Sequence, residues 1–426
     1  ICYTVNMKKI KEWLKKIGPG FITGASDDDP SGIATYSQTG AQFGYGQLWV
    51  ALFSFPFMAF IQEMCGRIGM VTGKGLALVI KKHYARPLLY GAVSLLFIAN
   101  TINIGADLGA MAAAGQLLWG IPFIVWLLGI TLITVLLEVF VPYRIYAKFL
   151  KYLTLSLFAY VATVFVIKQD WAAIAWATFV PSIQFSKAYL LNIVALLGTT
   201  ISPYLFFWQA DEEVEEEVAE HKLKAMGKGK PNINRRDIRG MRIDTVIGML
   251  FSNLVMFFII VTVASTLGAN GIHSIETADQ AASALRPFAG DLAFLLFAAG
   301  IIGTGLLAVP ILAGSASYAL AETFNWKASL SKKFSQAHAF YIVIILATLL
   351  GVLVNFTPIK PFQMLYYTAI LNGICAPPLM VLILLIGNNK KIMGEYSNSK
   401  SSNILGWTIT AIMSIAAIAL IWSLIF

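Results

Sequence analysis

An all-α polytopic membrane protein, arranged as a five-plus-five inverted repeat with an eleventh helix, is the fold class this sequence predicts, and three observations carry it. The first is composition: of 426 residues 58% are hydrophobic and only 12% charged, with a mean hydropathy of +0.73, where a soluble domain carries roughly 25% charge. The second is the recurrence of apolar windows about 20 residues long, the length that crosses a bilayer as a helix. The third is a pair of interruptions in those windows, Asp27-Asp28-Asp29-Pro30-Ser31-Gly32 and Gly198-Thr199-Thr200-Ile201-Ser202-Pro203.

The windows fall near 18–40, 47–68, 88–115, 122–142, 149–168, 189–209, 244–267, 291–318, 337–356, 362–387 and 404–426. They divide the chain into a basic amphipathic arm (1–17), a first repeat (18–168), a second repeat (169–387) that includes a charged loop at 211–243, and a linker with the last span (388–426). No cleavable leader is expected, because the arm runs straight into a complete span. With the N-terminus placed in the cytoplasm, 27 of the 31 Lys and Arg residues fall on the inner side; only Lys168, Lys187, Arg286 and Lys360 fall outside. That asymmetry orients the chain with its C-terminus outside. The net charge of +9 is thereby read as topology and contact with anionic lipid, with no nucleic-acid partner.

Each interruption contains what a membrane helix excludes. Proline removes a backbone donor and clashes with the preceding turn, so the helix breaks and frees carbonyl groups at the membrane midplane. The two prolines, Pro30 and Pro203, occupy corresponding places in the two repeats. Paired broken helices that meet at the midplane are the pattern of secondary transporters, in which unwound segments coordinate an ion. Asp29, then Asp28, are the expected cation ligands; Asp27 is expected in a vestibule or beside a basic group. Cys2, Cys65 and Cys375 are scattered and make no disulfide framework. His83, His221, His273 and His338 lie in loops or at span ends, so a midplane cation must use oxygen.

Several segments resemble the NRAMP divalent-metal transporters. Gly18-Pro19-Gly20-Phe21, Asp29-Pro30, Gly40-Ala41-Gln42-Phe43-Gly44-Tyr45 and Leu48-Trp49 are similar to the family's first span and its exit, Val71-Thr72-Gly73-Lys74 to the close of the second, and Asn388-Asn389-Lys390-Lys391-Ile392-Met393-Gly394 to the segment after the tenth. The resemblance runs along essentially the whole chain and implies the LeuT-like fold.

The departures fall on the positions that choose the ion. The typical member reads Asp-Pro-Gly-Asn at the first break, with Asp and Asn as ligands; here the sequence is Asp29-Pro30-Ser31-Gly32, and the amide is lost. In the sixth span the family's Ala carbonyl and Met thioether correspond to Thr199 and Ser202. The expected ligand set is Asp29, Asp28, Ser26, Thr199 and Ser202, with Gly32 leaving extra room. Loss of a soft thioether removes discrimination against hard ions, and Mg2+ is usually held through one or two carboxylates plus retained water. The pattern most resembles the NRAMP-related magnesium transporters.

Coupling residues depart as well. The resemblance places Ile104 and Asp107 where typical members carry an Asp and a Glu, and Tyr204 where they carry a His. Asp107 then either carries a proton alone or is capped by Asn100 or Asn103. Gln209 is a candidate for the inner path and Asn372 for a site or gate. Asp211 to Glu220, including Glu212, Glu213 and Glu216, reads either as a solvated helix end paired with the basic loop or as a cation-concentrating funnel.

The expectation is a non-enzymatic, multi-pass cell-membrane transporter that needs no cofactor and suffices as a monomer. It imports Mg2+, and also Mn2+, by alternating access with weak or no proton coupling. The alternative is a proton-coupled Mn2+/Fe2+ transporter; an ion channel or an organic-solute transporter on the same fold ranks below both.

Overall fold

Proline, glycine and side-chain caps set the helix boundaries in the computed structural model, which describes residues 18–141 and 154–425. The amphipathic arm and the beginning of the fifth window lie outside those residues. The first crossing is two helices, α1 (Pro19–Asp27) and α2 (Pro30–Phe43), each with proline in its first turn. There follow α3 (Trp49–Thr72), the short α4 (Leu76–His83), α5 (Arg86–Trp119), α6 (Phe123–Phe140) and α7 (Phe158–Val166). The sixth crossing is again split, into α8 (Lys187–Thr200) and α9 (Pro203–Ala219). The rest comprises α10 (Arg235–Thr266), α11 (Ala293–Phe324), α12 (His338–Val352), α13 (Pro361–Asn388) and α14 (Lys400–Ile425).

Among the described residues nine helical segments are long and apolar enough to cross a membrane, counting α8 and α9 as one. The split first crossing and the partly described fifth account for the other two windows. Burial ranks the crossings: the apolar window of the split sixth is 83% buried, that of α6 only 28% and that of α14 33%. The broken helices therefore form the centre, and α6 and α14 face lipid.

Close backbone packing fixes α1 against α10. A Cβ on Gly24 would fall 2.2 Å from the carbonyl carbon of Gly248, and one on Gly20 would fall 2.6 Å from the amide nitrogen of Thr245. Small residues permit this approach where lipid supplies no hydrophobic drive between helices. Asp244 caps the start of α1, accepting from the amides of Gly18 (3.1 Å) and Phe21 (3.0 Å). In the second repeat Gly198 of α8 lies against Ala369 and Gly373 of α13 in the same way.

Candidate metal site

Asp29 is where the two breaks and a third helix converge. It is the N-cap of α2, an extended residue whose side chain satisfies the orphan amides that proline leaves at the helix start. Its Oδ1 accepts from the Gly32 amide at 2.8 Å and the Ser31 hydroxyl at 2.6 Å. Its Oδ2 accepts from Asn103 Nδ2 of α5 at 3.1 Å. The residue is 1% exposed, and among the described residues no Lys, Arg or His forms an ion pair with Asp27, Asp28 or Asp29. Three buried carboxylates without a basic partner are costly unless a proton or a cation joins them.

The second break meets the first at Gly32 and Thr199. A Cβ on Gly32 would stand 3.2 Å from Thr199 Oγ1, 3.3 Å from the Tyr36 ring and 3.4 Å from the Asp27 carbonyl. Gly32 thus permits contact between the half-helices, and the extra room expected there is not found. Thr199 Oγ1 is buried without a hydrogen-bond partner. Ser202 differs from expectation: its hydroxyl turns back to donate to the carbonyls of Gly198 (2.9 Å) and Thr199 (2.7 Å). It satisfies the acceptors that Pro203 leaves without donors, and it thereby occupies the Thr199 carbonyl.

The hydroxyl of Ser26 is likewise engaged within its helix, donating to Ile22 O at 2.8 Å, while the Ser26 carbonyl accepts from Tyr204 at 3.1 Å. Tyr204 therefore ties α9 to α1. Asp27 and Asp28 turn toward α10 and share the Ser252 hydroxyl, at 2.6 and 3.2 Å, each leaving one oxygen without a partner. Asp27 is fully buried and among the described residues meets no basic group, which corrects its expected place in a vestibule.

Asp107 is buried with both oxygens unpartnered, and it lies within electrostatic reach of Asp29. Neither neighbouring amide caps it. Asn100 donates to Leu312 O and Ser315 on α11, both at 2.8 Å, and Asn103 donates to Asp29. Asn372 is buried beside Gly373, where α13 packs closely on α8, with its amide nitrogen unpartnered. Gln209 donates to Glu213 at 2.8 Å and packs against Gly66 of α3.

The acidic run is not an open rim or a solvated helix end. α9 continues through it, and Asp211, Glu212, Glu213, Glu215 and Glu217 are all buried, with Glu216 half-buried. Glu215 accepts from Tyr318 (2.9 Å) and Ser331 (3.2 Å), and Asp211 lies against Gly75 at the start of α4, beside Glu322. At the end of the run Lys222 of the basic loop meets Glu220 and Asp237 at 2.7 Å each. Partial burial alone would lower the Lys222 pKa; its hydrogen bonds to Asp237 and Glu220 outweigh that and hold it above the ordinary lysine range.

Ser252 is not singled out by the sequence, and Asn103 is named there only as a candidate cap for Asp107, not as a neighbour of Asp29. Asn100, Asn103 and Asp107 share one face of α5 by their three- and four-residue spacing, a signal that marks the face without naming its target. Ser252 is one small hydroxyl in an apolar helix and carries no signal.

The family described as natural resistance-associated macrophage protein-like, Nramp, matches residues 20–423. A curated relative from Deinococcus radiodurans, named divalent metal cation transporter MntH, is 25% identical over 437 residues, covering 99% of this chain and 93% of its own. A mutant of the Eremococcus coleocola manganese transporter superimposes with a TM-score of 0.73 at 18% identity, over 95% of this chain and 86% of that one. Mhp1, a nucleobase-cation-symport-1 family transporter in a closed conformation, superimposes with a TM-score of 0.54 at 13% identity, over 96% and 92%. These likenesses show a shared transporter fold, and the match along nearly the whole sequence shows that the chain belongs to the Nramp family.

Proposed function

We propose that this protein moves divalent metal cations across the membrane by alternating access, with Asp29 as the principal ligand and Mn2+ as the reference substrate. The observation that carries the reading is the placement of a fully buried carboxylate, without a basic partner, where both helix breaks meet. The curated relative's name supports a divalent metal cation, and the structural relative's name supports Mn2+ ahead of the Mg2+ expected from the sequence. Asn103 supports a cation site at Asp29 without choosing between the two ions. The amide lost at Gly32 is supplied from α5, and a half-turn of the Asn103 side chain exchanges its donor for Oδ1, which has no partner in the present arrangement. With Asp29, Thr199 Oγ1 and Asp28, that oxygen completes a set of hard donors on which a metal replaces the serine and amide hydrogens.

A second reading, Mg2+ transport, rests on one specific observation. No thioether stands among Asp28, Asp29, Asn103, Thr199 and Ser202, and an all-oxygen set does not select against hard ions. In this reading an inside-negative potential drives uptake, at roughly 2.3 kcal/mol per charge per 100 mV.

Uptake into proteoliposomes holding a potassium-diffusion potential, with an internal pH dye, tests both readings. Saturable Mn2+ uptake abolished in Asp29→Ala supports the proposal. Mg2+ uptake at equal or higher rate moves the assignment to the second reading, and undiminished uptake in Asp29→Ala overturns the site.

A further inference from the structure

A cavity of about 620 Å³ lies away from the candidate metal site, between α3, α10 and the segment that leads into α14. One wall is a single stripe of α3, in which Pro56, Phe60, Glu63 and Arg67 succeed one another at helical spacing. The facing wall is a stripe of α10, Ile238, Arg242 and Val246, each four residues from the next. Serines at the start of α14 roof it.

Its chemistry is graded along the membrane normal. At the end nearest the basic loops, Glu63 is shared by two guanidinium groups: Arg67 Nε at 3.1 Å and Arg242 Nη2 at 2.9 Å. One carboxylate against two guanidiniums leaves one uncompensated positive charge. The Arg67 side chain is 6% exposed and committed to Glu63, Asn398 and the Tyr396 carbonyl, whereas Arg242 is 56% exposed and presents its free edge outward. Deeper in the membrane the walls become apolar, with Val246 about one helical turn beyond Arg242 and Phe55 and Pro56 about two turns beyond Glu63, and of these Pro56 and Val246 face lipid. A soluble anion has use for the first half of this surface only. A molecule with an anionic head and an apolar tail matches both halves, in the orientation in which the inner leaflet would present it.

We propose that this cavity binds an anionic phospholipid, with its phosphate at Arg242 and the serine hydroxyls and the start of an acyl chain along Val246, Phe60 and Phe55. Basic pockets between membrane helices on the side of the basic loops are suited to such headgroups. The site bears on the rest of the molecule through α10. Arg242 and Val246 lie on the face opposite Asp244, Gly248 and Ser252, the residues that hold α1 and the Asp27–Asp28 pair. The lipid therefore braces the helix on which the inner half of the first crossing rests.

Native mass spectrometry of the full chain, released from micelles doped with equal phosphatidylglycerol and phosphatidylcholine, tests this directly. The expected result is one retained phosphatidylglycerol per chain. Its retention falls about fivefold in Arg242→Gln, the equivalent of ~1 kcal/mol for one basic residue near the membrane surface. It also falls in Val246→Trp, which fills the apolar end and leaves every charge in place. Equal retention of the two lipids, or retention that survives both substitutions, overturns the proposal. Displacement by millimolar inorganic phosphate with no effect of Val246→Trp overturns it in favour of a free anion. A dimer that forms only without the lipid, and that Val246→Trp abolishes, overturns it in favour of a second copy of the chain.

Discussion

Asn103 donates to Asp29 across 3.1 Å, joining the middle of α5 to the break in the first crossing through two fully buried side chains. A hydrogen bond to a charged group is worth about 1.5–3 kcal/mol, and losing it leaves a buried acceptor poorly satisfied. The contact also sets an amide beside the one carboxylate that caps α2, so it bears on metal binding as well as on the packing of α5.

Replacing Asn103 with Ala is expected to raise the concentration of Mn2+ needed for half-maximal uptake about tenfold, for a loss of ~1.4 kcal/mol. Maximal rate and detergent-phase stability change less. Transport assays across a metal series measure the shift, and an unchanged half-saturation would remove Asn103 from the ligand set.

Asp107→Asn separates charge movement from proton movement. Its carboxylate has no protein partner, and intramembrane carboxylates of this kind serve as proton carriers. Potential-driven Mn2+ uptake is expected to persist within about a factor of two while metal-dependent acidification drops to the leak rate. Undiminished acidification would assign the proton to another group, or coupling to another route.

Gly24→Val tests the packing of α1 on α10. Its Cβ would meet the Gly248 backbone at 2.2 Å, and overpacking of a tight interface costs about 1–3 kcal/mol or more. Thermal unfolding of the purified protein should shift down by several degrees, with Gly24→Ala intermediate. A variant as stable as the parent would show that α1 can stand off from α10.

Tyr204→Phe keeps the ring and deletes the hydroxyl that reaches the Ser26 carbonyl at 3.1 Å. The expected cost is about 0.5–1.5 kcal/mol, seen as lower thermal stability and as faster hydrogen exchange over residues 19–27. Exchange unchanged in that segment would mean that the tie does not restrain α1.

Much of this architecture is legible in the sequence because its determinants are local. Pro30 and Pro203 break helices wherever they stand, and hydropathy marks the spans without knowledge of their neighbours. Asp29 is legible for the same reason, as the residue just before a proline, where a new helix needs a cap. The contacts across helices are not legible. In sequence Asn103 stands out only as a cap for Asp107, since its spacing fixes the face of α5 and leaves open which helix that face meets. Ser202 corresponds in position to a ligand, while the local demand of freed carbonyls takes its hydroxyl. The acids from Asp211 to Glu217 read as solvated or as an open rim because charge usually is. Their burial depends on Tyr318, Ser331 and the start of α4 covering them, long-range contacts that no window of sequence contains.

The seam between α1 and α10 has a mechanical meaning. Side chains that interdigitate lock two helices in register, whereas Gly20 and Gly24 lie on Thr245 and Gly248 almost backbone to backbone, held mainly by Asp244 at one end and Ser252 at the other. Such a seam is a slip plane with a latch at each end. In the transport cycle proposed above, a metal that draws Asp28 away from Ser252 would loosen one latch and leave Asp244 as a pivot for α1.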